Sequence, residues 1–478
     1  MKQRWLAQIL VVSVTIAPLL ASHTDSQALA SSRPNIIIIV ADDLGYGDLG
    51  CYGHPSIRTP NIDRMAAEGQ RWTNFYAQAP VCSPSRAALL TGRLPIRSGM
   101  YGSPRPIAPK VLMDNATQGL PSEEITLAEA LRARNYATCI IGKWHLGHLP
   151  QFLPMRQGFD EWFGLPFSHD MRMTVPRDKG WETDAFYHPK PEYWDVPLMR
   201  NDQVIERPAD NRTLTRRYTE EAIHFISRNK NKPFLLYLAH SMPHIPLAAS
   251  RKFAGHSAGG VYGDVVEELD WSVGQILETL RKSGLSKRTL VVFTSDNGPW
   301  LPFKTHGGSA GPLREGKGTT WEGGMRVPAV FWWPGKIRPA VVLDIGSNMD
   351  LFVTAIKLAG GEPPADRRID GFDLRGALIE RAAGTRHLMY YYWDSELRAV
   401  RKDAFKAHFI TSGAYGIGAA RMEHNPPLLF NVAEDPEERY DVAARHPDIV
   451  ADIVKEAEAH RHTVVMNKPL FDESLPPR

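Results

Sequence analysis

Residues 81–93 place a cysteine where its chemistry could matter. Cys82 stands directly before Ser83-Pro84, and Arg86 follows four residues later. Serine is a favoured helix N-cap and proline suits the first helical position, so the spacing predicts a helix that begins just after Cys82. The free N–H groups of that helix end and the Arg86 guanidinium would favour an anion there. A lone cysteine is more often a buried packing residue, and the cysteine by itself leaves both interpretations open.

Two pairs of oxygen ligands follow apolar runs elsewhere in the chain. Asp42-Asp43 comes after the run 35–41, and Asp296-Asn297 comes after the run 289–294. One such pair alone commonly forms a turn or a helix cap. Two pairs that end two buried strands instead predict a metal site. Carboxylate and amide oxygens select Ca²⁺ or Mg²⁺ rather than zinc.

Short apolar runs separated by helical patterns predict an α/β fold with buried parallel strands. The predicted strands are 35–41, 137–141, 233–239 and 289–294, and the predicted helices include 59–69, 122–134 and 264–282. Lys143 and His145 follow the second strand, and His240 and His244 follow the third. Ligands of open α/β sheets bind at the carboxyl ends of the strands. One site should therefore receive side chains from all four strands.

Two motifs in the chain resemble the signatures of the type I sulfatases. Cys-x-Pro-Ser-Arg at 82–86, with Leu-Thr-Gly-Arg at 90–93, is similar to the first signature, and Gly-Lys-Trp-His-Leu-Gly at 142–147 is similar to the second. The resemblance is nearest to the branch of arylsulfatase A and the N-acetylgalactosamine-6-sulfatases. In this family the cysteine is converted to formylglycine, whose hydrate is a geminal diol. The resemblance implies hydrolysis of an O-sulfate ester, in which one hydroxyl attacks sulfur and deprotonation of the other expels sulfate.

The resemblance also implies roles for individual residues. One divalent cation, Ca²⁺ with Mg²⁺ as the alternative, would be bound by the formylglycine at position 82 and by Asp42, Asp43, Asp296 and Asn297. Sulfate would be bound by Lys143, Ser168, His244 and Lys317. His145 would contact the formylglycine hydroxyls as the candidate base, and His244 would be the general acid, while the sequence leaves the role of its neighbour His240 open. Arg86 would support the formylglycine and the metal.

The implied fold is an alkaline-phosphatase-like sandwich with a large mixed, mostly parallel sheet between helices. We expect a signal peptide at 1–30, a catalytic domain at 31–375 and a C-terminal subdomain at 376–478. The subdomain should be a small antiparallel sheet packed with a helix, because its pattern changes to a period of two. The expected strands are 387–393, 398–400, 406–411 and 428–432, and the expected helix is 448–460.

The N-terminus and the cysteine content predict an exported protein, either periplasmic or secreted. Lys2 and Arg4 precede an apolar run at 5–20, which is typical of a signal peptide, with an N-terminal membrane anchor as the alternative. We expect no integral membrane segment after signal cleavage. The chain has only 3 cysteines, which argues against a disulfide framework.

A formal net charge of +3 gives no reason to expect nucleic acid as a partner. The expected partners are a sulfated small molecule or carbohydrate and a formylglycine-generating enzyme, and the sequence makes no prediction of oligomeric state. We expect the pocket rim to come from 101–118 and 168–210. Two alternative functions are a phosphate mono- or diester hydrolase of the same superfamily and an exported glycan-binding protein that never matures at Cys82.

Overall fold

The computed structural model describes residues 33–105, 108–176, 183–380 and 382–475. The predicted signal peptide at 1–30 lies outside these residues. Within them, no helix combines the length and the apolar character that are needed to cross a bilayer.

A ten-stranded mixed sheet forms the centre of the described chain. Its strands are β1 (Asn35–Ala41), β2 (Gln70–Tyr76), β3 (Ala137–Lys143), β4 (Glu161–Leu165), β5 (Leu198–Arg200), β6 (Gln203–Glu206), β7 (Phe234–Ala239), β8 (Thr289–Ser295), β9 (Ala329–Trp332) and β10 (Ala340–Ser347). The order across the sheet is β10-β2-β9-β8-β1-β7-β3-β4-β5-β6. The four strands predicted from sequence are neighbours in this order, and each pair among β8-β1-β7-β3 is parallel. Their carboxyl ends therefore meet at one edge.

Helices cover both faces of the sheet. They are α1 (Pro60–Glu68), α2 (Cys82–Thr91), α3 (Pro95–Ser98), α4 (Leu127–Arg132), α5 (Asp184–Tyr187), α6 (Asn211–Arg228), α7 (Gly260–Lys282), α8 (Glu322–Met325), α9 (Asn348–Leu358) and α10 (Pro447–Thr463). Alternate side chains of β1 enter opposite cores: Ile37 joins the cluster that includes α6 and α7, and Ile36 joins the cluster that includes α4 and α9. Burial on both faces explains the uninterrupted apolar sequence of the strand. The predicted sandwich is confirmed.

A second, antiparallel sheet follows in the C-terminal part. It contains β11 (Leu388–Trp393), β12 (Glu396–Lys402), β13 (Phe405–Thr411) and β14 (Met422–Asn431), paired in that order. Helix α10 packs on it through a shared core of Val400, Ala407, Leu429, Ile453 and Ala457. The predicted small sheet with its closing helix is confirmed.

The helix predicted over 122–134 is shorter than expected. The Thr126 hydroxyl accepts a hydrogen bond from the Glu129 N–H, and the Glu129 carboxylate accepts one from the Thr126 N–H. This capping box starts α4 at Leu127. The preceding residues form a turn in which the Glu124 N–H donates to the Pro121 carbonyl.

Candidate active site

Cys82 is the first residue of α2 rather than the residue before it. Val81 occupies the N-cap position, and no side chain caps the helix. The predicted cap at Ser83 is wrong because its hydroxyl accepts a hydrogen bond from the Leu112 N–H at 3.1 Å. Pro84 lies in the first turn, where its missing N–H removes no helical hydrogen bond.

The Cys82 thiol is buried among charged groups. Its Sγ lies 3.4 Å from Asp42 Oδ1, 3.9 Å from Asp43 Oδ1 and 3.5 Å from Lys317 Nζ. Burial raises the pKa of the thiol well above its usual value, although Lys143 and Lys317 act in the opposite direction. The encoded cysteine is therefore a protonated thiol at neutral pH, which makes it a poor nucleophile.

Each of the two consecutive aspartates is paired with a lysine. Asp42 Oδ2 accepts a hydrogen bond from Lys143 Nζ at 2.6 Å, and Asp43 Oδ2 accepts one from Lys317 Nζ at 2.7 Å. Burial opposes ionisation of Asp42, but Lys143 and other neighbouring cationic groups hold its pKa well below the usual value. Burial, with repulsion from Asp42 and Asp296, raises the pKa of Asp43 to about 7 despite the ammonium group of Lys317. An additional positive charge would reduce the repulsion between these neighbouring carboxylates.

Four buried side chains of this cluster lie close enough together to hold a metal ion. Ligand atoms of Asp42, Asp43, Cys82 and His244 all lie within 4.8 Å of one another. Asn297 Nδ2 donates to Asp43 Oδ1 at 2.7 Å, while Asn297 Oδ1 is buried without a hydrogen-bond partner in the described chain. An unpartnered amide oxygen beside a carboxylate is a suitable Ca²⁺ ligand.

Arg86 connects the predicted metal ligands to Lys143 at the end of β3. Its guanidinium donates to Asp296 Oδ2 at 2.8 Å and to the Lys143 carbonyl at 3.0 Å, and it lies 3.5 Å from Asp42 Oδ1. Asp296 Oδ1 accepts a hydrogen bond from the Asp43 N–H. Arg86 is fully buried and is therefore not a solvated surface charge.

The three histidines considered from sequence have different partners. His145 Nε2 lies 2.9 Å from the Leu112 carbonyl and must carry the hydrogen, so the buried, unpartnered Nδ1 carries a lone pair. His244 Nε2 lies 3.6 Å from Asp43 Oδ2, and its Nδ1 donates to the Ile245 carbonyl. Burial lowers the pKa of both His145 and His244 well below the usual value. The positive charge of a nearby lysine lowers it further, Lys143 for His145 and Lys317 for His244. His240 Nε2 instead contacts Ser272 on α7.

Together these contacts link the predicted site residues into one buried cluster. Lys143 extends the cluster to Ser168, whose hydroxyl lies 3.1 Å from Lys143 Nζ.

Comparison with known proteins identifies the family of this chain. The family model for sulfatase matches residues 34–361, and the model for the C-terminal region of aryl-sulfatase matches residues 384–476. The chain belongs to the sulfatase family. The predicted enzyme class, a sulfuric ester hydrolase, is thereby confirmed.

Full-length relatives and solved structures agree with this membership. N-acetylgalactosamine-6-sulfatase of Canis lupus familiaris is 42% identical over 472 residues, which cover 92% of this chain and 88% of the relative. Arylsulfatase A of Homo sapiens is 42% identical over 455 residues, covering 88% of this chain and 87% of the relative. The crystal structure of PsFucS1 sulfatase from Pseudoalteromonas sp. has a TM-score of 0.79 at 28% identity and covers 92% of each chain.

This sulfatase holds Lys317 in place partly through its C-terminal sheet. Lys406 Nζ on β13 donates to the Thr320 carbonyl and to Glu322 Oε1, each at 2.9 Å. The Glu322 N–H donates to Glu438 Oε2 at 2.7 Å. The segment that carries Lys317 is therefore anchored by one buried ion pair from the second sheet and by a hydrogen bond to Glu438.

Aromatic residues beside the sulfatase centre were missed by the sequence analysis. The Lys317 ammonium lies 4.2 Å from the centroid of the Trp300 ring, and His169 packs edge-on against His244. Tyr415, in the loop between β13 and β14, lies next to Trp300. Trp300 and Tyr415 belong to no motif, and only the tertiary fold brings them to the site.

Proposed function

We propose that this sulfatase hydrolyses sulfated sugars through a formylglycine made from Cys82, with Ca²⁺ as the bound cation. The observation that carries the proposal is the position of Cys82, whose Sγ is buried between two carboxylates and a lysine; burial also raises the pKa of its thiol. A protonated thiol there has little use as a nucleophile. The hydrated aldehyde would supply one hydroxyl to attack sulfur and a second whose deprotonation releases sulfate.

Residues of the chain would bind and neutralise the sulfate group. Lys143 and Lys317 each place a buried ammonium within 2.7 Å of an aspartate, which leaves their remaining N–H donors for sulfate oxygens. Ser168 is held by Lys143 and would add a hydroxyl donor. Asp42, Asp43, Asp296 and Asn297 would hold the cation, which would offset charge on a sulfate oxygen in the transition state.

Two histidines would accept and donate the protons of the reaction. The free Nδ1 lone pair of His145, which its lowered pKa leaves unprotonated at rest, would take a proton from the second hydroxyl. His244 presents a lone pair at Nε2 and is neutral at rest, so it must gain a proton before it can donate one to the departing alcohol. A bound sulfate ester brings negative charge next to His244 and would favour that protonation.

The proposed substrate class is based on the names of related proteins. Relatives at about 40% identity are named N-acetylgalactosamine-6-sulfatase, and the structure of Ps i-CgsB, at 30% identity and a TM-score of 0.75, holds a neocarrahexaose. Both names describe action on, or binding of, sugars by those proteins. Export to the periplasm or exterior, maturation by a formylglycine-generating enzyme and the division of the chain at residue 375 remain predictions.

Mass spectrometry and kinetics on one preparation would test this function. The protein would be produced with a formylglycine-generating enzyme, and conversion would lower the mass of the Cys82 peptide by about 18 Da. The converted protein should hydrolyse p-nitrophenyl sulfate far faster than p-nitrophenyl phosphate. An inactive protein with verified formylglycine would refute the proposed function, and a preference for the phosphate would favour the phosphate ester hydrolase.

A further inference from the structure

An aromatic wall begins at the lysine nearest to Cys82. Trp300 lies under the Lys317 ammonium, and the Trp300 and Tyr415 rings are tilted by 42° with centroids 5.8 Å apart. Trp393 of β11 also packs edge-on against Tyr415, again with centroids 5.8 Å apart. The wall therefore extends from the sulfate lysine to the C-terminal sheet.

Tyr415 is held at this position in an unusual backbone conformation. Its φ of 52° lies in the left-handed region, which is uncommon for a residue with a large side chain. Its ring packs so closely on Gly318 that a Cβ at that glycine would lie 2.8 Å from a ring carbon. The side chain is nevertheless 36% exposed, so one part of it contacts the segment of Lys317 and another part is open to a ligand. Strained residues of this kind are concentrated at ligand sites.

One oxygen of the Asp170 carboxylate has no hydrogen-bond partner in the described chain. Asp170 Oδ1 is buried and makes no hydrogen bond in the described chain, while the Asp170 carbonyl accepts one from Trp194 Nε1. Asp170 comes two residues after Ser168, the hydroxyl held by Lys143. Ring contacts connect Asp170 to the aromatic wall: the neighbouring His169 packs on His244 with centroids 5.6 Å apart, and His244 packs on Trp300 with centroids 5.3 Å apart.

We infer that Trp300, Tyr415 and Asp170 form the binding site for the alcohol part of the substrate and that they select a hydroxylated six-membered sugar ring. This inference rests on the proposed function, because the sulfate is assumed to sit between Lys143 and Lys317. The C–H face of the sugar packs on the Tyr415 ring, and a sugar hydroxyl donates to Asp170 Oδ1. Tyr415, which the C-terminal part supplies from the loop 412–421, thus determines specificity.

The unpartnered carboxylate favours a sugar over an aryl group. An aromatic alcohol could pack on Tyr415 and Trp300, but its ring carries no hydroxyl group for Asp170, whose buried oxygen would stay unsatisfied. A sugar ring satisfies the aromatic wall and the carboxylate together. Sites that hydrogen-bond a substrate hydroxyl discriminate strongly against compounds that lack it.

Kinetics of two variants on two kinds of substrate would test the inference. Wild type, Tyr415→Ala and Asp170→Asn would be prepared with formylglycine verified at position 82. Each would be assayed with p-nitrophenyl sulfate and with a panel of sulfated monosaccharides that includes N-acetylgalactosamine 6-sulfate. For the best sugar, we expect kcat/KM to fall roughly tenfold in Tyr415→Ala and on the order of 10- to 100-fold in Asp170→Asn. The loss on p-nitrophenyl sulfate should be several-fold smaller for Asp170→Asn.

Ile417→Ala is the matched control, because Ile417 lies in the same loop with its side chain 44% exposed. It should retain wild-type kinetics on both substrates. Equal losses on the aryl and sugar substrates in Asp170→Asn would overturn the inference. A verified, converted wild type that cleaves no sugar of the panel would instead refute the proposed function.

Discussion

Lys406 Nζ lies 2.9 Å from Glu322 Oε1, and both side chains are fully buried although 84 residues separate them in sequence. The pair joins the antiparallel sheet to the segment that carries Lys317. Glu322 Oε2 also accepts a hydrogen bond from the Tyr76 hydroxyl at 2.6 Å. Each of the two sheets therefore contributes a polar group to one buried carboxylate.

Replacing Lys406 should destabilise the protein. Lys406→Met leaves Glu322 and Glu438 buried with one cation fewer, and removing one partner of a buried pair costs on the order of 3–5 kcal/mol. Urea denaturation would measure the loss. Lys402→Met is the control, since Lys402 pairs with Asp452 and Glu456 at the surface and should change the free energy of unfolding by less than about 1 kcal/mol. Similar losses in both variants would contradict this prediction.

Acid should weaken the same contact. Burial opposes ionisation of Glu322, but Lys406, Arg326 and Arg401 lower its pKa from 4.5 to about 2. Because the folded-state pKa is the lower one, this stabilisation is complete above the unfolded value of 4.5 and is lost as the pH falls towards 2. The difference in unfolding free energy between wild type and Glu322→Gln should therefore shrink from pH 5 downwards. A difference that stays constant over this range would show that the ionised carboxylate is not responsible.

Calcium binding should depend on the amide of Asn297. Its Oδ1 is buried without a partner in the described chain, and a bound cation would satisfy it. Adding Ca²⁺ to chelator-treated protein should raise the melting temperature, because a ligand that binds only the folded state stabilises it. In Asn297→Ala the Ca²⁺ concentration needed for half of that rise should increase about tenfold or more. An unchanged titration would remove Asn297 from the ligand set.

Loss of the reactive side chain should separate catalysis from folding. Cys82→Ala should abolish turnover of p-nitrophenyl sulfate, while the free energy of unfolding changes by no more than about 2 kcal/mol, as expected for a small buried group. Far-UV circular dichroism and urea denaturation would verify the fold. Residual activity above that of a mock preparation would rule out a mechanism through position 82.

Local sequence patterns predicted the buried strands of the large sheet and the edge of the sheet where their polar side chains meet. The run at 35–41 forms β1 because both of its faces are buried, and the polar residues after β1, β3, β7 and β8 meet because parallel strands share one edge. The start of α2 was wrong by one residue because Leu112, which is distant in sequence, takes the Ser83 hydroxyl. Tyr415 reaches the site through packing on Gly318, and no periodicity or motif encodes such a contact.

The burial of Cys82 also sets an order of events in time. The side chain is 2% exposed, and the whole of α2 around it is buried, so a second enzyme cannot bind this stretch of the folded protein in an extended form. Conversion to formylglycine would have to take place while the chain is still unfolded. Under the proposed function, folding and modification would then compete, and their relative rates during synthesis would determine the fraction of active molecules. A chain that folded before conversion would be stable but permanently inactive.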